Sequence, residues 1–261
     1  MDGFVFKDHY GIDDLRNIVK VLRSENGCPW DKVQTHKTLR KDMIEEAYEV
    51  AEAIDCESVP MLREELGDVL LQVVFHADIE ADADNFDLDD IADEVCKKLI
   101  TRHPHVFGEV KLDTADEVLE NWDKIKKETK AQSYTDTLNA VPKVFPSLMR
   151  AQKLGKRAGR AGLDYENAQS AFESLKSEVD EAQQALACEN IGHIAEELGD
   201  VLFSCVNVIR KCGLDAEEVL TAANEKFVKR FAAVEEAVRQ NGTDMKSLSI
   251  DELDSYWKKA K

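Results

Sequence analysis

"EELGDVL" occupies residues 64–70 and returns at 196–202, seven identical residues in a row at a separation of 132. In a chain of 261 residues, a repeat at that distance divides the sequence into two related halves, each of ordinary domain size. The phrase places a glycine mid-pattern between a Glu and an Asp, where helix propensity disfavours it by about 1 kcal/mol relative to Ala. Something other than helix formation must therefore hold the phrase in place twice.

Working outward at the same offset, Glu46 matches Glu178, Glu49 matches Glu181, Glu65 matches Glu197 and Asp68 matches Asp200. A short insertion near "DIEADADNF" (78–86) lowers the offset to 128, and Lys98 and Arg102 then match Lys226 and Arg230. Near the end of each half, "WDKIK" (122–126) and "WKKAK" (257–261) pair Trp122 and Lys126 with Trp257 and Lys261. Each half carries the same acids, bases and aromatic.

Apolar residues recur at spacings of three and four, as in Ile12, Leu15, Ile18, Val19 and Leu22, and sustained strand-like alternation is missing. The fold class is all-α, a tandem repeat of two helical domains. Helices are expected near 11–24, 36–55, 59–81, 87–102 and 114–130, then near 145–161, 167–188, 190–212, 215–240 and 249–260. The stretch "QSYTDTLNAVPKVFPS" (132–147), with Pro142 and Pro146, interrupts the periodicity. This sets an N-terminal domain at 1–131, a connector at 132–147 and a C-terminal domain at 148–261.

A formal net charge of −19 and a pI near 4.8 argue against a nucleic-acid or anionic-membrane binder, because those partners are held by a basic footprint. The longest apolar run, "VLLQVVFHA" (69–77), is far short of the roughly 20 residues that span a bilayer. No charged segment followed by an apolar stretch opens the chain, so a cytoplasmic protein is expected. The six cysteines lack CxxC pairing and zinc-finger His spacing, which favours free thiols in a reducing compartment.

Residues three apart on a helix share a face, so Glu178 and Glu181 point one way, as do Glu197 and Asp200 from the next helix. Two antiparallel helices bring such pairs together, and the resulting repulsion calls for protons or cations. The donors are all oxygen, with no ExxH of the di-iron type, which suits Mg²⁺, or Mn²⁺, better than iron or zinc. Taken singly, an ExxE marks a solvated helix face in a chain that is 33% charged; two in-register copies with matching bases favour a cation site. For Gly67 and Gly199, two reasons are open: close approach of another helix, or room for a metal-bound group. His193, one turn before Glu197, is a candidate for the same cleft, although an isolated His is more often incidental.

The phrases "ENGCPWD" (25–31), "IEEAYEVAEAI" (44–54), "REELGDVLLQVVFHA" (63–77), "RHPHVF" (102–107), "LMRAQK" (148–153), "EELGDVLF" (196–203) and "ANEKFVKRF" (223–231) make the chain resemble the two-domain MazG nucleoside triphosphate pyrophosphohydrolases over almost its whole length. The resemblance implies an all-α NTP pyrophosphatase fold, a homodimer, and Mg²⁺-dependent cleavage of nucleoside triphosphates to NMP and pyrophosphate. It also implies that catalysis rides on the C-terminal copy, with the N-terminal copy supporting assembly. One departure stands out: where the first copy has Glu45 in "IEEAYE", the second has Ser177 in "KSEVDE".

Neither GxxxxGK[ST] nor GxGxxG occurs, so no phosphate-cradling loop is available and metals must take that role. On this reading Glu178, Glu181, Glu197 and Asp200 hold Mg²⁺, Lys226, Arg230 and Lys261 meet phosphate oxygens, and Trp257 stacks on the base or closes the cleft. Glu46, Glu49, Glu65, Asp68, Lys98, Arg102, Trp122 and Lys126 form a possible second site. Two alternatives remain open: a base-selective dUTP or dCTP pyrophosphatase, and a metal-stabilised helical scaffold without catalysis.

Overall fold

The computed structural model describes residues 5–112, 114, 117, 118, 121, 133–188 and 190–260. The chain divides into two compact units, Met1–Glu128 and Thr129–Lys261, and among the described residues there is no strand. No helix among them is long and apolar enough to cross a membrane.

The first unit contains α1 (Ile12–Arg23), a 3₁₀ turn at Asp31–Val33, α2 (His36–Asp55), α3 (Val59–Ala81), α4 (Leu88–Arg102) and the single turn α5 (Pro104–Phe107). Thr35 starts α2 by accepting a hydrogen bond from the Thr38 amide, and Asp87 starts α4 by accepting from Asp89 and Asp90. Between α2 and α3 the chain turns in three residues, with Glu57 in the left-handed region at φ 51° and Pro60 in the first turn of the next helix. Val19, Leu39, Val74 and Phe75 form the core, with Leu15, Leu71, Ile79 and Leu88 packed around it. Arg23 pins α1 to the end of α3 through Asp78 and Asp82. His36 ties the start of α2 to the same end, at 2.7 Å from His76 and 2.5 Å from Glu80.

The second unit contains α6 (Tyr134–Asn139), α7 (Ser147–Arg160), α8 (Ala168–Ala187), α9 (Ile191–Lys211), α10 (Ala216–Gln240), a 3₁₀ turn at Met245–Ser247 and α11 (Ile250–Lys259). Both ends of α8 lie 132 residues after those of α2, and α9 begins 132 residues after α3. The start of α10 lies 128 residues after that of α4, as the insertion requires. The helix expected at 114–130 falls largely outside the described residues. The stretch 132–147 is not a bare connector: Ser133 and Asp136 cap each other's backbone at the start of α6, and its prolines come only after that helix has ended. Arg157 on α7 donates to the Thr137 carbonyl, fastening α6 to the second unit.

α7 and α9 approach closely at Gly155, where an added Cβ would lie 2.7 Å from the Asn207 carboxamide oxygen. Arg210 on α9 pairs with Asp164 at 2.6 Å, and this guanidinium holds the Asp164 carboxyl at about 2, well below the usual range. Buried Gln152 donates to the Leu214 carbonyl at 3.1 Å and accepts from the Ala216 amide at 2.7 Å, satisfying the backbone at the start of α10. Gln152→Leu keeps the size and strands both groups, so it should cost about 1–3 kcal/mol. A lowered urea midpoint at unchanged slope is the expected result.

Candidate metal and phosphate site

The acids meet because of where they stand around a short turn. Glu181 lies seven residues before Cys188 and Glu197 seven after Asn190, so in a helical hairpin each sits about 10 Å from the turn and the two come level. Asn167 caps α8 by accepting from the Ser170 amide, and Asn190 caps α9 by accepting from Gly192 and His193, which fixes both helix starts. Carboxylate oxygens of Glu178, Glu181 and Glu197 all lie within 4.8 Å of one another. The first unit repeats this around Cys56–Ser58, where Glu46, Glu49 and Glu65 gather within the same limit.

Asp200 and Asp68 stand outside these tight trios but close enough to act on them by charge. Burial pushes the Glu178 carboxyl above its ordinary range, and the charges of Glu181, Asp200 and Glu197 add to the rise. Burial likewise raises Glu46, followed by the charges of Asp68 and Glu49, and raises Glu65, followed by that of Glu49. Glu49 adds to the upward push on both Glu46 and Glu65. In the second copy the Ser177 hydroxyl donates to Glu181 at 3.1 Å, and His193 Nδ1 lies 3.4 Å from Glu197. Met61 stands where His193 would fall in the first copy. An all-carboxylate set under mutual repulsion fits a hard divalent cation, which needs oxygen donors and relieves their charge.

The basic residues fall differently from expectation. Lys226 is exposed on α10, but Arg230 one turn on is already engaged: its Nε donates to the Trp257 carbonyl at 2.9 Å, its terminal nitrogen donates to the same oxygen, and the guanidinium lies 4.3 Å from the centre of the indole. Arg230 is therefore first a clamp on α11, and only its remaining N–H groups face elsewhere. Phe227 packs on the same indole at 5.2 Å. Among the described residues no hydrogen bond or ion pair joins Lys226 or Arg230 to the acids. Lys98 is exposed and Arg102 half-buried on α4; Trp122, Lys126 and Lys261 lie outside the described residues. The Ser177 contact was not read from sequence, although its i, i+4 spacing to Glu181 was there to find.

Gly67 and Gly199 have nothing within 4 Å of an added Cβ, so among the described residues no close approach of another helix accounts for them. The exposed pairs Leu66/Leu70 and Leu198/Leu202 flank them, giving each copy the same open apolar strip.

A family model, the MazG nucleotide pyrophosphohydrolase domain, matches residues 34–107 and again 166–234, together more than half of the chain. The chain is 39% identical over 249 residues to the nucleoside triphosphate pyrophosphohydrolase/pyrophosphatase MazG of Thermotoga maritima, covering 95% of each. It is 41% identical over 256 residues to the nucleoside triphosphate pyrophosphohydrolase of Escherichia coli K12, covering 96% of this chain and 97% of that one. The Bacillus subtilis protein YabN is 41% identical over 97% of this chain, which spans 52% of its length.

A carboxyl whose pKa rises on folding binds more protons in the folded than in the unfolded state, so its contribution to stability falls as pH climbs above 4.5, its ordinary value. Glu178→Gln removes that penalty. In the absence of divalent cations the variant should melt about 1–3 °C above wild type near pH 7, and the gap should close near pH 4.

Proposed function

The chain belongs to the MazG family of nucleotide pyrophosphohydrolases, and from that premise we propose that it hydrolyses nucleoside triphosphates to NMP and pyrophosphate with Mg²⁺, Mn²⁺ substituting, at its C-terminal copy. The observation that carries this is the trio Glu178, Glu181 and Glu197, whose oxygens converge within 4.8 Å in a chain of this family.

Those three, with Asp200 beside them, would hold the ions. Bound there, divalent cations supply charge neutralisation across the triphosphate and lower the pKa of an attacking water. The water oxygen bonds to the α-phosphorus, the bond from that phosphorus to the bridging oxygen breaks, pyrophosphate leaves, and the water's proton passes to a carboxylate or to solvent. One of the acids would orient the water, and the His193 ring 3.4 Å from Glu197 supports Glu197 in that role. Lys226 and Lys261 supply positive charge to phosphate oxygens in a protein of net charge −19. Trp257, held by Arg230 and Phe227, would stack on a base or close the cleft; stacking has no hydrogen-bond code, which supports breadth across NTPs and dNTPs.

The same reading takes the protein as a cytoplasmic homodimer. Supporting it are the six free cysteines and the apolar strips Leu66/Leu70 and Leu198/Leu202, open beside glycines that leave room for a partner helix. The N-terminal trio is ancillary, holding cations or shaping the fold without turnover.

Chromatography of reaction products with Mg²⁺ should show NMP and pyrophosphate; NDP with orthophosphate, or undiminished turnover in excess EDTA, would overturn the chemistry. Glu197→Gln should lower kcat/KM by at least about 10²-fold, while Glu65→Gln retains most of it. Equal losses would mean two working sites. A sharp preference for dUTP or dCTP across a nucleotide panel would identify the base-selective enzyme instead.

A further inference from the structure

We propose that Ser177 is a positioning residue for Glu181, holding its carboxylate so that the C-terminal trio forms a better cation site than the N-terminal one. The inference rests on the cation-site reading above and adds to it a residue that stands outside the trio.

A serine in the middle of a helix commonly turns its hydroxyl back to the carbonyl four residues earlier, which bends the helix and does nothing for its neighbours. Ser177 instead points forward one turn and gives its single hydrogen to Glu181 Oε1 at 3.1 Å. A carboxylate so held has lost the freedom to swing, and its second oxygen is left for an ion. Hydrogen bonds to ligating carboxylates, made by residues that never touch the metal, fix ligand orientation in this way.

The first copy provides the contrast inside the same chain. At the corresponding position stands Glu45, a further acid in place of a hydroxyl. There Glu49, the counterpart of Glu181, has the carboxyls of Glu46 and Glu65 around it, as Glu181 has those of Glu178 and Glu197, but no hydroxyl at the position of Ser177. Glu181 stands among the same kind of carboxylates but has a hydroxyl beside it that donates to one of its oxygens. The departure at 177 thus exchanges an acid for a hydroxyl and adds a hydrogen bond at the copy to which turnover is assigned.

The test is Mn²⁺ binding to the full chain, read from the EPR signal of free ion, for wild type, Ser177→Ala and Ser177→Thr, each also in a Glu197→Gln background. Ser177→Ala should weaken the binding that Glu197→Gln removes by about tenfold, and Ser177→Thr, which keeps the hydroxyl, should restore it to within about twofold. In the Glu197→Gln background Ser177→Ala should change nothing further. Wild-type affinity in Ser177→Ala, failure of Ser177→Thr to restore it, or a loss that persists in the Glu197→Gln background would each overturn the assignment. Absence of NTP cleavage by wild type would overturn the hydrolase reading alone, since the Mn²⁺ measurement still decides the role of Ser177.

Discussion

Repulsion between carboxylates held level across a helical hairpin is the constraint around which each half of the molecule is arranged. Three oxygens of separate Glu side chains within 4.8 Å are unfavourable unless something outside the trio compensates; burial first, and then the neighbouring carboxylates, push Glu178, Glu46 and Glu65 upward. The hairpin tolerates it because other parts of each unit fasten the same helices. In the first unit, Arg23 with Asp78 and Asp82 locks the far end of α3, and His36, His76 and Glu80 bind α2 to it. In the second, Arg210 with Asp164, and Asn207 against Gly155, hold α9 to the neighbouring segments. Strain at the acids is thus set against fixed points more than two helical turns away along the same helix.

Much of this was legible in the sequence, for identifiable reasons. Helix periodicity and an exact internal repeat gave the all-α tandem, because burial of one helix face leaves a pattern that does not depend on distant contacts. Four acids per copy were read from their spacing of three on successive helices; in each copy three Glu meet within 4.8 Å, while Asp200 and Asp68 stand outside. What was hidden depends on side-chain direction. Arg230 at i+4 from Lys226 reads as half of a phosphate clamp, yet its guanidinium goes to a carbonyl on α11, and no spacing rule within one helix reports that. The prolines at 142 and 146 read as a connector, but they punctuate the end of α6 rather than forbid it.

The two copies share their acids and differ in what surrounds them. His36, His76 and Glu80 of the first unit become Ala168, Val208 and Cys212 in the second, so the polar latch of one half has no counterpart in side-chain type in the other. In return the second copy sets Ser177 and His193 against its acids, where the first has Glu45 and Met61. Duplicated domains that kept their trios could therefore diverge in chemistry without altering the trios.

The survival of "EELGDVL" in both halves follows from the two faces of its helix. Glu65, Asp68 and Val69 are half-buried at spacings of three and four, facing the hairpin, and so would be Gln72, which is buried one turn on. Leu66 and Leu70 lie on another face, exposed, with the open Gly67 beside them. The second copy repeats the outer face with Leu198, Gly199 and Leu202. Neither face alone needs seven fixed residues, since an acid face leaves its apolar neighbours free to vary and an apolar strip leaves its acids free. A stretch with acids on one face and open leucines on the other leaves few positions outside both patterns. Gly67 and Gly199, each costing about 1 kcal/mol in helix propensity, leave open space beside the backbone on the exposed face.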